Sequence, residues 1–424
     1  MIRRFPNYEQ LRLHLRRASK GLVWAAPGQV DAGLASLATF LAGIFAVRLL
    51  TPSALGAYAL LFSAFQIANQ VSSELIFVPS QIIAVDLPSA QRLSMWRHSV
   101  PRGGLLAVIA SMGVPLGALP IVAAVDRSDL VALAVSAIAL ATLSPIQDHL
   151  RALFHLSQKS WVAALMSAVN LLATGSSLFL INGGVPSWKP FGALAVGNAA
   201  SLVAGVSAIA LARPGHVPRP ALSELFALGK WLIATGISKN GLTYLARTVL
   251  NFSAGTAALG FVEGARIVAQ PINVVSLGLM AQAGPRLIQA GSQRDLKKAR
   301  AWRVRFWLLL TGTAIPYLII AGFPTGINPL TELTPRAFEV RGLTAAVFVA
   351  VVIGALVRPL RTELLGARLQ RDVTRITILS GAAEIAAMLG GRLVGPFAAP
   401  IGLFMSALFA VALYSRKLRS VYRT

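Results

Sequence analysis

The sequence predicts an all-α, polytopic membrane protein: twelve transmembrane helices in two six-helix lobes, related by a pseudo-two-fold axis along the membrane normal. Three observations predict it. First, 55 % of the 424 residues are hydrophobic and only 13 % are charged, which is not the balance of a soluble domain. Second, apolar segments of about 20 residues recur along the whole chain, each long enough for a helix to cross roughly 30 Å of hydrocarbon. Third, the basic residues cluster in every second gap between those segments.

The segments run in order over 28–47, 54–77, 103–125, 130–149, 160–182 and 191–212, then 226–246, 257–282, 306–326, 342–360, 373–391 and 396–415. Lipid cannot satisfy exposed backbone groups, so each is read as a helix. The short alternating stretches of a β-barrel are absent from the sequence. Gaps after odd-numbered spans hold only Arg48, Arg127, Lys189, Arg247, Arg336, Arg341 and Arg392. Gaps after even-numbered spans, with both termini and the span edges beside them, hold 30 of the 39 Lys and Arg residues. Basic loops stay in the cytoplasm. Both termini are therefore expected there.

The net charge of +24 does not argue for nucleic acid, because these are topogenic charges on short loops. The densest run, Arg294, Lys297, Lys298, Arg300, Arg303 and Arg305, reads as contact with anionic membrane lipids; docking of a partner enzyme is the alternative. The first apolar stretch is too long for a signal peptide's core, and it is read as a retained span. Residues 2–20 are amphipathic only weakly.

The boundary between halves is expected at 213–222, where three prolines and a glycine interrupt any helix. The parts are then a 1–27 N-terminal segment, a 28–212 lobe, a 213–225 linker, a 226–415 lobe and a 416–424 tail. A shift of 204 residues aligns the two halves. Ala54, Leu55 and Gly56 fall on Ala258, Leu259 and Gly260, and Gln66, Asn69 and Val71 fall on Gln270, Asn273 and Val275. An even number of spans per half gives both copies one orientation, hence the axis along the normal. Pro271 lies inside span eight, where a proline either kinks the helix beside a cavity or, more commonly, is simply tolerated in the membrane.

Charges inside a bilayer are costly and tend to face protein or water. Asp31, Glu74, Lys239, Glu263, Arg266 and Glu384 lie within spans, with Arg48 and Arg247 at outer ends. Polar residues recur at intervals of three and four on four spans, so each set forms one stripe. The stripes are Asp31, Ser36 and Thr39 on the first, and Gln66, Asn69, Gln70 and Ser73 on the second. The seventh carries Asn240, Thr243 or Tyr244, and Arg247; the eighth carries Glu263, Arg266, Gln270 and Asn273. They are expected either to pack between helices or to converge on one central chamber. Glu263 and Arg266 also suit a mutually neutralising pair.

Enzyme signatures are missing. The chain has no phosphate-binding Walker sequence and no cysteine. None of His14, His98, His149, His155 and His216 pair at metal-ligand spacing. No cofactor, no metal and no catalytic residue are expected.

The run Val47-Arg-Leu-Leu-Thr-Pro-Ser-Ala-Leu-Gly-Ala-Tyr58, its echo Ala258-Leu-Gly-Phe-Val-Glu-Gly-Ala-Arg266 and the stretch Phe191-Gly-Ala-Leu-Ala195 resemble a known family. It is the multidrug/oligosaccharidyl-lipid/polysaccharide (MOP) exporter superfamily, and within it the bacterial polysaccharide flippases. The resemblance spans about residues 20–416. It implies translocation of an undecaprenyl-pyrophosphate-linked oligosaccharide for O-antigen or exopolysaccharide export. The implied partners are that lipid-linked oligosaccharide, membrane lipids and polysaccharide polymerase or export machinery, with no nucleic acid. Arg and Lys suit phosphate, so Arg48, Lys239, Arg247 and Arg266 are the expected pyrophosphate ligands. Gln66, Asn69, Asn240, Tyr244, Gln270 and Asn273 are expected to line the sugar path. Asp31, Glu74, Glu263 and Glu384 are candidates for ion coupling. The competing readings are a cation-coupled multidrug exporter of the same superfamily and a membrane glycan polymerase or ligase, which needs larger outer loops. A major-facilitator carrier is the third, but its signature is missing from the loop at 86–102.

Overall fold

A computed structural model describes the backbone of residues 8–117, 127–180, 187–212, 215, 217–321 and 335–423, and side chains from residue 27 onward within these. The first half contributes α1 (Tyr8–Leu49), α2 (Pro52–Val85), α3 (Ser89–Gly117), α4 (Arg127–Leu156), α5 (Ser160–Leu180) and α6 (Lys189–Ala212). The second contributes α7 (Leu222–Ala254), α8 (Thr256–Ser292), α9 (Leu296–Ala321), α10 (Leu343–Gly366), α11 (Gln370–Met388) and α12 (Ala398–Arg423). No strand occurs among the described residues.

Nine of these helices are long and apolar enough to cross a membrane, ten with the bent α8. Helices α7 and α11 fall short because charges interrupt them: Lys230, Lys239 and Arg247 on one, Arg371, Asp372, Arg375 and Glu384 on the other. Both still pack as interior elements, α7 against α2 and α11, and α11 against α12. Large apolar side chains such as Leu105, Leu172, Phe179, Leu211 and Leu308 stay exposed around the outside, as a lipid-facing surface requires.

The helix pairings of the first half recur in the second. Contacts α1–α5, α5–α6, α4–α6, α2–α4 and α2–α3 match α7–α11, α11–α12, α10–α12, α8–α10 and α8–α9. The 204-residue shift reappears between the halves. A Cβ on Gly56 would collide with the Thr256 carbonyl oxygen, and one on Gly260 with the Pro52 carbonyl oxygen. Pro52 and Thr256 are shift-equivalents, and so are the two glycines. The outer ends of α2 and α8 therefore touch through a pseudo-symmetric pair of backbone contacts that only glycine permits.

That end of the molecule is one continuous core. Leu55, Leu60, Phe65, Leu140 and Phe191 share it with Leu250, Leu259, Ile267 and Phe338 of the second half. The opposite end, where the basic loops lie, divides into separate clusters: Leu93, Met95, Leu153 and Phe154 in one half, Leu287, Phe306, Leu310 and Phe348 in the other. There Arg92 caps the exposed ends of two helices, donating to the carbonyls of Val85, Leu87 and Leu156 at 3.0, 2.9 and 2.6 Å, where helix termini leave carbonyls without partners.

The bend in α8, 50°, falls between Met280 and Gln282. Its cause is Pro285, whose ring clashes with the carbonyl four residues earlier and whose missing N–H leaves that carbonyl unpaired. Helix α2 continues to Val85 through a π-turn at Ser73–Phe77, which carries Glu74. Residues 2–7, His216 and the side chain of His14 lie outside the described residues.

Candidate functional site: two polar interiors of opposite charge

The two inter-half seams α2–α7 and α8–α1 are equivalents under the shift, yet they differ. On α7, Gly229 abuts the Glu74 carbonyl and Leu75, Gly236 abuts the Gln70 side chain, and Asn240 donates to the Gln66 carbonyl at 3.5 Å. That seam is closed along its length. On the other side Gly43 faces the Ile267 side chain, which a Cβ at position 43 would touch, the equivalent of the Arg247–Ser63 contact. Beyond it α1 and α8 diverge. A cavity of about 1020 Å³ opens between them, lined by Gly28, Ala32, Gly33, Val274 and Gly278, with Arg92, His155 and Trp161 at its basic end.

Three of the expected site residues form one ionic knot. The Glu263 carboxylate accepts from Arg247 Nη2 at 3.1 Å and from Arg266 Nε at 2.9 Å, with a further Arg266 contact through Nη2. Arg247 also donates to the Ala59 carbonyl at 2.9 Å and to Ser63 Oγ on α2. The Glu263 side chain is 2 % exposed. Both guanidinium groups are thus engaged by protein acceptors, and the Glu384 carboxyl lies within electrostatic reach of Arg247. Arg48 ends α1, exposed.

Asp31 does not face a central chamber. It points into the first half, where Arg151 Nε and Nη2 donate to its two oxygens at 3.0 and 2.7 Å. His155 and Ser167 add bonds at 2.8 and 2.5 Å, and Arg151 Nη1 reaches Asp148 at 3.0 Å. Gln66 and Asn69 face this same interior, a cavity of about 280 Å³ shared with Ser144, Gln147, Asp148, Arg151, Asn170 and Asn198.

The second half is built the other way. Lys239 on α7 is exposed and lies within electrostatic reach of the half-buried Arg361 and Arg358 of α10, and α7 and α10 are not a packed pair. Arg358 Nη2 donates to Asn273 Oδ1 at 3.0 Å, while Arg358 Nη1 and Arg361 Nε are buried without a partner. No carboxylate pairs with these three cations among the described residues. The left-handed turn residues Gln158 and Arg368 follow equivalent helices, α4 and α10, and align them with a shift of 210. Arg361 then occupies the place of Arg151, and Arg358 the place of Asp148.

The four predicted stripes therefore do not meet in one chamber. Gln66, Asn69 and Asp31 turn into the first half and Asn273 into the second, while Lys239 is exposed on α7. Asn240 and Glu74 sit at the α2–α7 seam. Tyr244 donates to the Gly117 carbonyl at 3.3 Å, and Gln270 is half-buried on α8. Sequence reasoning missed Asp148, Arg151, Arg358 and Arg361, because all four sit where spans were expected to end. The intervals of three and four linking Ser144, Gln147 or Asp148, and Arg151 were the available signal.

No protein-family model matches the chain, and no curated protein matches it. Solved structures do. An inward-facing multidrug-resistance MATE family transporter of the MOP superfamily aligns over 93 % of this chain and 96 % of its own, with TM-score 0.67 and 14 % identity. An outward-facing conformation of such a transporter aligns over 94 % and 95 %, with TM-score 0.60 and 14 % identity. A MOP superfamily transporter from Pyrococcus furiosus, described as having a binding pocket of reversed polarity, covers 96 % of this chain and 97 % of its own at TM-score 0.58 and 13 % identity. The chain has the fold of these transporters, in a multi-pass membrane protein.

Proposed function

We propose that this chain is a membrane transporter that moves an undecaprenyl-pyrophosphate-linked oligosaccharide across the bacterial inner membrane by alternating access. The observation that carries the reading is the trio Lys239, Arg358 and Arg361. Three cations within electrostatic reach of one another and without a carboxylate repel one another, and half-burial costs Arg358 and Arg361 part of their solvation. Such an arrangement is stabilised by an anion, and Arg supplies a planar fork for phosphate oxygens. Lys239 is the one sequence-predicted pyrophosphate ligand in this trio. Arg247, held by Glu263 of its own half, ties the outer ends of the two halves together by donating to Ala59 and Ser63 of α2, and it is released from α2 only when those ends part.

The α1–α8 cavity supplies the rest of the path. It opens beside the lipid, so a polyprenyl tail can stay in the bilayer while its head enters. Rocking of the 28–212 lobe against the 226–415 lobe, about the 213–225 linker, alternates the open end. With twelve crossings, both the 1–27 segment and the 416–424 tail lie in the cytoplasm, and the cavity faces the leaflet where lipid-linked sugars are assembled. Sugar-polymerising or export machinery then receives the product. Asp31, Glu74 and Glu384 remain the carboxylates for ion coupling.

The test is translocation in proteoliposomes of a fluorescent polyprenyl-pyrophosphate oligosaccharide. The double variant Arg358→Gln/Arg361→Gln is expected to slow it at least tenfold with protein level and fold intact. Undiminished translocation removes the trio from the mechanism. The second reading, a cation-coupled multidrug exporter, has the Asp31–Asp148 carboxylates in its favour. It predicts dye export that survives that double variant and fails in Asp31→Asn.

A further inference from the structure

We propose that the 280 Å³ cavity inside the first half is a binding site for one uncharged sugar ring. The inference rests on the transport reading above and adds where the saccharide is held. Its size is at the lower end of small-molecule pockets, which begin near roughly 300 Å³, so it admits a ring and not a chain.

The lining suits hydroxyl groups. Asn170 Nδ2 donates to Asn198 Oδ1 at 2.7 Å, which leaves the Asn170 carbonyl oxygen and the Asn198 amide hydrogens for a ligand. Asn69 Oδ1 is buried with no partner. Gln66 is tied to the protein only through its backbone carbonyl. Arg151 Nη1 engages Asp148 Oδ1, so Oδ2 is free, and the Asp148 side chain is 54 % exposed where it lines the cavity. These groups mix donors and acceptors, as a sugar hydroxyl does. Phe62 and Phe65, tilted at 5.3 Å, offer an apolar wall to the C–H face of a ring.

Charge selects against an anion here. The lining carries one carboxylate, Asp148, against one cation, Arg151, and Arg151 is already held by Asp31, which His155 also bonds, so no unpaired cation faces the cavity as in the trio of the second half. The two sites share a seam: the Gln66 carbonyl accepts from Asn240, the neighbour of Lys239 on α7. Once that seam opens, one molecule bearing a pyrophosphate beside a neutral sugar meets both.

The experiment is saturation-transfer NMR on the full-length protein in detergent, with the methyl glycosides of glucose, galactose, rhamnose and N-acetylglucosamine, and methyl glucuronide as the anionic comparison. At least one neutral glycoside should bind, more tightly than the glucuronide. Binding should weaken about tenfold, one hydrogen bond's worth, in Gln66→Leu and in Asn170→Leu, and persist in Lys239→Gln. Gln66→Leu is the safer variant, since its side-chain amide bonds nothing in the protein. Failure of all four neutral glycosides, or binding indifferent to both cavity variants, overturns the proposal. Inorganic pyrophosphate titrated into the same samples separates the two ideas. If it binds and is lost in Lys239→Gln while no glycoside binds, the transport reading stands and the sugar site falls. Glycoside binding without pyrophosphate binding sinks the phosphate trio instead.

Discussion

Glu263→Gln is the most informative single change in this protein. Glu263 is buried and holds two guanidinium groups, Arg247 from α7 and Arg266 from its own helix. The knot carries two positive charges and one negative. Gln keeps the shape but leaves both cations without their counter-charge. Breaking one side of a buried ion pair costs about 3–5 kcal/mol, and here one carboxylate serves two partners, so the upper part of that range applies. A loss of this size lowers the melting temperature by roughly 5 °C or more. The seven tryptophans of the chain give an intrinsic-fluorescence signal for thermal unfolding in detergent. The reasoning has a sharper consequence in the double variant Glu263→Gln/Arg266→Gln. Removing the second charge restores the knot's net +1, so the double should be more stable than Glu263→Gln alone. A double variant as unstable as the single, or less stable, refutes the claim that these residues act as one neutralising unit.

Four other outcomes follow from the geometry. Arg358→Gln relieves like-charge repulsion and should leave the melting temperature unchanged or raised, whereas Arg151→Gln, which strips Asp31 of its bidentate partner, should lower it; thermal unfolding of the two side by side checks the contrast. The chain has no cysteine, so engineered pairs report cleanly: Gln70→Cys/Gly236→Cys should cross-link readily under oxidant, and the shift-equivalent Ala32→Cys/Val274→Cys should not in the state with the α1–α8 cavity open. Gly260→Leu cannot keep its contact with Pro52, so it should part the outer ends and raise maleimide labelling of Leu259→Cys, which is 1 % exposed in the closed arrangement; unchanged labelling means the halves do not separate there. If the transported head is anionic, an inside-negative potential favours outward movement by about 2.3 kcal/mol per charge per 100 mV, and collapsing the potential in proteoliposomes should slow translocation more than collapsing the pH gradient.

Much of the fold was legible because it is written in local terms. Segment length against bilayer thickness, and the alternation of basic loops, need no knowledge of which helix touches which. The 204-residue repeat was visible as matched Gly, Gln and Asn positions, and Gly56 and Gly260 turned out to be the points where the halves meet. The site was less legible. Lys239, Arg247 and Arg266 looked alike in sequence, each a cation in an apolar stretch. Arg358, Arg361, Asp148 and Arg151 looked like ordinary loop charges, since their helices run past the hydrophobic segments that announced them.

By itself, then, the sequence determined a helical membrane chain with an internal duplication, since backbone desolvation and hydrophobic length act on each segment separately. What only the tertiary structure decided is which charges are compensated. Coulomb interactions depend on distance in space, not along the chain: Glu263 lies within reach of Arg247 and Arg266, Asp31 within reach of Arg151 across 120 positions, and no described carboxylate pairs with Lys239, Arg358 and Arg361. That difference, invisible in one dimension, gives the two halves of one repeated fold interiors of opposite sign.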